Sequence, residues 1–388
     1  MTASIVGWAH APFGKLADQD LESLLTGVSR NAIQHAGITA ADIDGIWVGN
    51  LNGGFSPDIF CSSLVMQADD GLRWKPAVRV ENACASGSAA IYAAIQAIES
   101  GAAKLALVVG AEKMSGVPGP EATKILGNCS YVKEEGETPN GFAGIFGEIA
   151  TAYFEKYGDQ SATLARIAAK NHGNGVSNPY AHMRKDLGFD FCNTVSEKNP
   201  IIAGPLRKTD CSLVSDGAAA LIIAHDSVLS DFSRAVEFRS HVHVNDYLPM
   251  SRRDPLLFEG PQRAWQAALK GAGVSLNDLS FAEVHDCFTI AELLTYEAMG
   301  LTKRGEGAQA ITEGWVYKDG RLPINVSGGL KSKGHPIGAT GVSMHAISAM
   351  QLCGDAGDMQ LPSPQLAGVF NMGGSAVVNY VSILARRK

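Results

Sequence analysis

Part of this chain is repeated within it, and the duplication limits the folds that the chain can adopt. Residues 36–49 read AGITAADIDGIWVG, and residues 272–285, starting 236 positions later, read AGVSLNDLSFAEVH. In each copy Ala-Gly ends a helical segment, Thr39 or Ser275 precedes an Asp by three residues as in a capping box, and an apolar strand closes the unit. Strands and helices alternate in both halves, which predicts an α/β fold with mostly parallel sheets and packed helices. Two related halves are expected to pack about a pseudo-twofold axis with the functional site between them.

The middle of the chain fits neither copy. Residues 115–208 contain several prolines, glycines and charged residues, and we interpret them as a long excursion that covers the site. The predicted organisation is an N-terminal half from residues 1–114 and 209–235, this loop domain, and a C-terminal half from residues 236–388.

Composition narrows the class of function. The 388 residues are 46% hydrophobic, enough for a large core, and the net charge of −7 without a basic block argues against a nucleic-acid partner. The seven scattered cysteines are odd in number and lack CxxC pairing, which argues against a disulfide framework or a structural metal site and favours a reducing compartment such as the cytoplasm. No signal peptide is expected, because the N-terminus lacks a basic region followed by an apolar stretch. No membrane span is expected, because no apolar run is long enough.

Cys84 is the first candidate for chemistry. It lies between the strand-like run 77–80 and a helical run with isoleucines at positions 91, 95 and 98. A thiol at a helix N-terminus is expected to ionise more readily than a free one, and the thiolate is the reactive form. The alternative is an inert buried cysteine.

Three other loops carry polar groups where strands are predicted to end. His285 and Cys287 follow the strand 281–284. His335 lies in a glycine-rich loop between a predicted strand at 323–326 and a helix from about Gly341, and Gly373 begins a glycine pair after an apolar strand. Cys84 and His335 occupy matching places in the two halves, the arrangement of a nucleophile and its base. The alternatives are a solvated loop histidine at 335, a histidine at 285 bonded to its neighbouring aspartate, a core cysteine at 287, and a simple turn at 373–374.

These motifs together resemble the thiolase family over essentially the whole chain. The segments are NACASG at 82–87, GHPIGATG at 334–341 and NMGG at 371–374, and the loop HDCF at 285–288 is similar to that of the sterol carrier protein type. The resemblance implies the thiolase fold, two βαβαβαββ-type halves layered α-β-α-β-α with an inserted loop domain.

The resemblance also implies roles for individual residues. Cys84 would accept the acyl group as a thioester, and His335 would take its proton and then help to bind the thioester oxygen. His285 would hold a water or donate to that oxygen, and the backbone N–H groups of Cys84 and Gly373 would form a second oxyanion hole.

The chain departs from the family pattern at Asn371. Most thiolases have a second catalytic cysteine there, and a carboxamide cannot exchange a proton with the substrate α-carbon. By resemblance to the sterol carrier type, Cys287 would fill this role.

The expected activity is therefore a coenzyme A-dependent thiolase, an acyltransferase that cleaves or forms 3-ketoacyl-CoA, as in fatty acid β-oxidation and lipid metabolism. One alternative is a thiolase-fold acyltransferase or aldolase that works with a small accessory subunit, and another is a non-catalytic scaffold subunit. Acyl-CoA and CoA are the expected ligands, with no permanently bound cofactor and no metal. The resemblance also implies a homodimer or homotetramer, joined through edge strands near Val108–Ala111.

Overall fold

The computed structural model describes residues 3–388, which contain eleven strands and thirteen α-helices. Residues 1 and 2, assigned above to the N-terminal half, lie outside the described range. The strands are β1 (Ala3–His10), β2 (Gly45–Gly49), β3 (Ala77–Val80), β4 (Leu105–Glu112), β5 (Ile201–Ala203), β6 (Leu206–Arg207), β7 (Gly217–His225), β8 (Val236–Asn245), β9 (Phe281–Val284), β10 (Leu366–Gly373) and β11 (Val378–Arg386). The helices are α1 (Leu21–Ala36), α2 (Cys61–Leu64), α3 (Ser86–Glu99), α4 (Gly119–Gly127), α5 (Val132–Glu135), α6 (Phe142–Tyr157), α7 (Ser161–Gly175), α8 (Gly188–Asn193), α9 (Glu259–Ala272), α10 (Thr289–Ala298), α11 (Gly307–Thr312), α12 (Gly329–Lys333) and α13 (Ile337–Cys353).

The duplication is visible in the strand order. Nine strands form one sheet in the order β3-β2-β4-β7-β1-β8-β11-β10-β9, and the second half of this order mirrors the first. The halves meet where β1 pairs antiparallel with β8. Within each half one strand, β7 or β11, runs opposite to the others, which share one direction. The expectation of two related, mostly parallel halves is confirmed.

The repeated sequence folds the same way in both copies. Helix α1 ends at Gly37 and helix α9 at Gly273, each with a left-handed backbone (φ of 72° and 68°) that glycine adopts without strain. The capping boxes predicted at Thr39 and Ser275 are both present, each opening one turn of 3₁₀ helix before β2 or β9. The two strands therefore enter the sheet through equivalent turns.

The layers follow from the alternation of side chains along the strands. In β4, Val108 packs into the core that contains α3 and α13, whereas Leu107 and Val109 pack into the core beneath α1. Because both faces are buried, the central strands are almost continuously apolar. Helices α3 and α13 contact each other between the two halves, and α1 and α9 pack on the outer sides. The predicted α-β-α-β-α layering is confirmed.

Three sequence-based expectations about strands and helices need correction. The region Val108–Ala111 is not an edge, because β4 lies between β2 and β7; the outer strand of this half is β3. The predicted strand at 323–326 is reduced to a bridge between Ile324 and Ala282, since Asn325 has a left-handed backbone (φ 56°) that ends the extended run. Helix α13 begins at Ile337, four residues earlier than expected.

The excursion at 115–208 contributes helices α4 to α8 and the two-stranded β5–β6 sheet. The domain boundaries proposed above remain a prediction. No helix among residues 3–388 has the length and apolar character needed to cross a bilayer.

Candidate active site

Cys84 lies in the tight turn between β3 and α3. Ala83 has a left-handed backbone (φ 48°), which is uncommon for a residue with a side chain and typical of strained functional turns. The Ser86 hydroxyl accepts from the Asn82 N–H and donates to the Ala83 carbonyl, which holds the turn closed. Cys84 is buried, with 4% of its surface exposed.

Cys84 and His335 occupy equivalent positions, each two residues before its helix, α3 or α13. The two helix starts meet through glycines: a Cβ on Gly87 would lie 2.8 Å from the Gly338 carbonyl oxygen. As a result, the ligand atoms of Cys84, His335 and His285 lie within 4.8 Å of one another.

The hydrogen bonds around His335 define which ring nitrogen carries the proton. Its Nδ1 lies 2.7 Å from the Thr340 hydroxyl, which itself donates to the Pro336 carbonyl oxygen at 3.0 Å. That hydroxyl has one proton, so it accepts from His335, and Nδ1 is the protonated nitrogen. Nε2 is then a bare lone pair, buried and without a partner among the described residues. Burial and the nearby Lys333 lower the pKa of His335 to about 3, so the ring is neutral at physiological pH.

His285 lies against Asn371 rather than its neighbour Asp286. The Asn371 amide donates to His285 Nδ1 at 3.0 Å, and the two imidazoles meet edge to face with centroids 5.1 Å apart. Its Nε2 is also buried and has no partner within residues 3–388. Burial lowers the pKa of His285 well below its ordinary value of 6.5, so this ring too is neutral.

The expectation that Cys84 ionises readily is wrong for the resting protein. Burial raises the pKa of the Cys84 thiol above its ordinary value of 9.0, and nearby Cys287 raises it further. The backbone N–H of Gly374 lowers it, but by less. Desolvation therefore outweighs the helix start, and the thiolate needs a base to form.

Cys287 and Phe288 follow β9 and reach the same cavity as Cys84. The thiol of Cys287 is buried, and burial with Asp286 nearby raises its pKa well above 9.0, so it is a neutral proton donor. The cavity has a volume of about 350 Å³ and a mostly apolar wall. The wall includes residues from α4 and α6 of the excursion and Lys208 near β6.

A second cavity of about 550 Å³ adjoins the first. The two share Met114, which packs in the same small apolar cluster as Cys84, and also Val214. The remaining residues common to both cavities are Thr123 and Leu126.

The glycine pair lies beside the cysteine turn. Gly373 approaches the turn so closely that a Cβ there would lie 2.5 Å from the Asn82 carbonyl oxygen. The amide that lies at the Cys84 sulfur belongs to Gly374, the residue after the predicted Gly373.

Sequence reasoning missed three contributors. Thr340 selects the His335 tautomer, Asn371 holds His285, and Gly374 supplies an N–H to Cys84. Thr340 and Gly374 lay inside the motifs already recognised, but their hydrogen-bond directions are tertiary information. Asn371 was noticed only for the proton chemistry that it lacks.

Comparison with known proteins agrees with this architecture. The model of the thiolase N-terminal domain matches residues 3–227, and that of the thiolase C-terminal domain-like family matches residues 243–386. An acetyl-CoA acetyltransferase of Methanothermobacter thermautotrophicus is 33% identical over 99% of both chains. Human sterol carrier protein 2 is 33% identical over 93% of this chain and 67% of its own length.

Two solved structures share the fold over the full length of this chain. The Ltp2-ChsH2(DUF35) aldolase superposes with a TM-score of 0.81 at 20% identity and 98% coverage of its chain. Human mitochondrial 3-ketoacyl-CoA thiolase in complex with CoA superposes with a TM-score of 0.78 at 18% identity, again covering 98% of that chain. With both domain models matched across nearly all of its residues, the chain belongs to the thiolase family of acyltransferases.

Proposed function

We propose that this protein is a coenzyme A-dependent thiolase that cleaves or forms 3-ketoacyl-CoA through a thioester on Cys84. The observation that carries the proposal is the closeness of the Cys84 thiol to the His335 ring, whose Nε2 has no partner among the described residues, beside an apolar cavity. A neutral thiol next to a neutral imidazole is stable at rest, and the proton moves when a carbonyl is present for the sulfur to attack.

In the degradative direction the sulfur attacks the 3-keto carbon while His335 Nε2 takes the thiol proton. The resulting oxyanion is stabilised by backbone N–H groups of Cys84 and of the Gly373–Gly374 pair. The bond between C2 and C3 then breaks, which leaves the acyl group on Cys84 and the enolate of acetyl-CoA. One well-placed donor in such a hole is worth about 3 kcal/mol.

Cys287 completes the carbon chemistry. Its neutral thiol gives a proton to C2 of the enolate, whose oxygen accepts from His285 Nε2–H and from His335 once protonated. Free CoA then attacks the thioester, gives its thiol proton to the Cys287 thiolate and takes the acyl group, while His335 returns a proton to the departing Cys84 sulfur. In the synthetic direction the Cys287 thiolate instead removes a proton from acetyl-CoA.

Coenzyme A acts as a co-substrate rather than a permanently bound cofactor. The first cavity carries side chains whose polar ends have no hydrogen-bond partner in the described part of the chain, namely Asn140, Lys208 and Ser212. These groups suit the amides of pantetheine and an anionic phosphate. The human thiolase that shares this fold binds CoA.

The second cavity suits the acyl chain. Outside the shared residues its wall is mostly small or apolar, as at Ala17, Val117 and Ala122. The hydroxyl groups of Ser115 and Thr123 are already bonded internally, to Asp216 and to the Gly119 carbonyl. Lys15, which is exposed, is the charged residue of this wall. The rest of the cavity offers an apolar chain little polar competition, and we propose that the substrates include acyl groups longer than acetyl.

The test is covalent capture on the isolated chain. Acyl-CoA should add one acyl mass, and peptide mapping after an acid quench should place it on Cys84. His335→Ala should slow this acylation by about 10²–10⁴-fold with the fold intact. A label on another cysteine, or none, would refute the thioester assignment.

An aldolase or acyltransferase that needs a small accessory subunit is the second candidate. It is favoured by the likeness to the Ltp2-ChsH2(DUF35) aldolase, whose name includes a second component. If this second candidate is correct, the isolated chain does not catalyse thiolysis. A non-catalytic scaffold is disfavoured because Cys84 and His335 are both retained and adjacent.

We also propose that two copies associate through β3. This strand is the outer one of the nine, so one side of its backbone is unpaired within residues 3–388, and Val78 on it is 46% exposed. Nearby in the chain, Ile59, Phe60 and Trp74 are exposed by 75% or more. Such an apolar edge favours a homodimer, which can pair further into a tetramer.

The cytoplasm is the compartment that we propose, because a thiol nucleophile needs reducing surroundings. All seven cysteines are free in the structure. A role in lipid metabolism, including fatty acid β-oxidation, follows from the proposed cleavage of 3-ketoacyl-CoA.

A further inference from the structure

We propose that Asn371 is a positioning residue that fixes His285 as the Nε2–H tautomer. His285 is thereby a hydrogen-bond donor toward the substrate oxygen and is prevented from acting as a base or a metal ligand. The inference deepens the proposed function and rests on it for its catalytic consequence, whereas the tautomer itself is a property of the resting protein.

The orientation of the Asn371 amide follows from its neighbours. The side chain is fully buried, and its nitrogen lies 3.2 Å from the Cys84 carbonyl oxygen, a group that can only accept. Its oxygen accepts from the Ser88 hydroxyl at 2.7 Å. The NH₂ end must therefore face Cys84, because the reverse orientation would oppose two oxygens.

The amide orientation decides the imidazole. The second hydrogen of the NH₂ group points to His285 Nδ1 at 3.0 Å, so that nitrogen must be the bare one. In a neutral ring the proton then resides on Nε2, which is buried and has no partner in residues 3–388. A substrate oxygen is the acceptor that this N–H lacks.

The two histidines thus have opposite hydrogen-bonding characters. Thr340 leaves His335 with a lone pair on Nε2, and Asn371 leaves His285 with a proton there. Only His335 can take the thiol proton, and only His285 can donate to an oxyanion before that transfer. A cysteine at position 371 would not impose this division, because a thiol is a weak donor.

The same division protects the site from metal ions. A thiolate and two imidazole nitrogens within 4.8 Å are a ligand set that suits zinc. Zinc needs a bare nitrogen on each ring. The hydrogen bond from Asn371 occupies Nδ1 of His285 and leaves the proton on Nε2, so this ring offers none. A carboxylate at 371 would reverse the tautomer, since it accepts from Nδ1–H, the arrangement common behind zinc-bound histidines.

The experiment is a ¹⁵N–¹H correlation spectrum of the protein labelled at histidine, recorded through the two-bond couplings that distinguish protonated from bare ring nitrogens. The resonances are assigned with His285→Gln. In the wild type we expect His285 to carry its proton on Nε2 and His335 on Nδ1. In Asn371→Asp we expect His285 alone to reverse.

Ser88→Ala is the matched control, because it removes a neighbour of Asn371 but leaves its NH₂ group between Cys84 and His285. We expect the wild-type tautomers in this variant. If Asn371→Asp does not fold, Asn371→Leu replaces it, and there we expect His285 to show both tautomers. A wild-type His285 with its proton on Nδ1 overturns the proposal whether or not the enzyme turns over.

Zinc binding gives a second readout. Asn371→Asp should bind Zn²⁺ at least about tenfold more tightly than the wild type in competition with a chromophoric chelator. Cys84→Ser in the same background should remove the gain. Equal zinc affinity in the wild type and Asn371→Asp would contradict the exclusion. Failure of Cys84 to accept an acyl group, by contrast, would reject the proposed function and leave the tautomer assignment in place.

Discussion

At the scale of single residues, the site depends on neutrality. Cys84, His285 and His335 are all uncharged at rest because burial disfavours their charged forms. No ion pair has to be broken before reaction, and charge arises only as the thiol proton moves to His335. An apolar wall then strengthens each hydrogen bond to the developing oxyanion.

Cys287→Ser should separate the two half-reactions. Acylation of Cys84 needs His335 and the oxyanion donors, whereas exchange of the acetyl-CoA α-protons needs an acid and base at the α-carbon. A serine hydroxyl is far too weak an acid to replace a thiol, so we expect acyl-enzyme to form while exchange nearly vanishes. Mass spectrometry follows the first and deuterium incorporation the second. Exchange at the wild-type rate would assign the proton shuttle to another group, and His285→Gln would then be the variant to examine.

Some features of the site residues could be predicted from the sequence, and others could not. The matching places of Cys84 and His335 were predictable, because each lies in a loop between a strand and a helix of the duplicated unit. The direction of the Cys84 pKa was mispredicted, since the sequence indicates a helix start but not how completely the excursion covers it. The partner of His285 was also unpredictable, because Asn371 lies 86 residues away on β10.

At the scale of elements, the contact between α3 and α13 brings nucleophile and base together. The helices cross at glycines because a side chain there would meet backbone, which cannot move aside. Gly87 approaches both the Gly338 carbonyl oxygen and the Val342 nitrogen. The short distance between the turns that carry Cys84 and His335 therefore depends on glycines, which have no side chain, at the contact between the two helices.

Gly87→Ala should lower both stability and activity. Its Cβ would lie 2.8 Å from two backbone atoms of α13, and overpacking of this kind costs about 1–3 kcal/mol. Separation of the helices also moves Cys84 from His335, so acylation should slow more than the loss of folded protein explains. Urea unfolding and single-turnover acylation measure the two effects.

Gly27→Ala is the matched control for that substitution. Gly27 lies inside α1, where a Cβ would meet no atom within 4 Å, so alanine should stabilise by up to about 1 kcal/mol. If the two variants behaved alike, helix propensity rather than the close approach would be the cause.

Short strands are the elements that are hardest to predict from sequence patterns. The strands at 77–80 and 281–284 were predicted with the bounds observed, because apolar residues run between clear turn signals. The segment 323–326 has a similar composition, but the left-handed backbone at Asn325 ends the run. The edge assignment at Val108–Ala111 failed although a continuous apolar run favours a strand buried on both faces.

At the scale of the molecule, two cavities with different chemistry meet at Met114. We therefore expect selectivity for the acyl chain to be separable from the chemistry at Cys84. Ala17→Trp fills the second cavity from its exposed rim and does not line the first. The ratio of kcat/KM for 3-ketooctanoyl-CoA to that for acetoacetyl-CoA should fall about tenfold or more.

Ala41→Trp is the control for this selectivity change. Ala41 is also an exposed alanine, but it lines a cavity that shares no residue with the site. An unchanged ratio of kcat/KM values in Ala17→Trp would show that the acyl chain does not bind in the second cavity. Loss of CoA affinity in that variant would instead place pantetheine there.

Stability should fall as the solution is acidified from pH 7 to pH 5. Buried histidines have folded-state pKa values below the unfolded value of 6.5, so the unfolded chain binds protons that the folded protein refuses, and their stabilising effect is lost as pH falls below 6.5. The shifts are to about 3 for His10, His172 and His335 and to about 4 for His345. Glu112 and Asp286, whose pKa values burial raises to about 7, act in the opposite sense but are fewer.

We expect a net loss of roughly 3 kcal/mol between pH 7 and pH 5, measured by urea unfolding. His172→Leu removes one of these imidazoles outside the site. The number of protons that the chain takes up on unfolding in acid should then fall by about one, and the dependence of stability on pH should be shallower. Equal or greater stability at pH 5 would show that the buried carboxyl groups dominate.

The central place of β1 has a consequence for synthesis on the ribosome. The strand β1 pairs with β7 and β8, so the middle of the sheet stays open until β8 has emerged. The base for Cys84 arrives about a hundred residues later still, with the turn before α13. A nascent or truncated chain therefore displays a cysteine with no acyl-transfer chemistry, and acyl-CoA in the cell meets a working thiol only after both halves have closed.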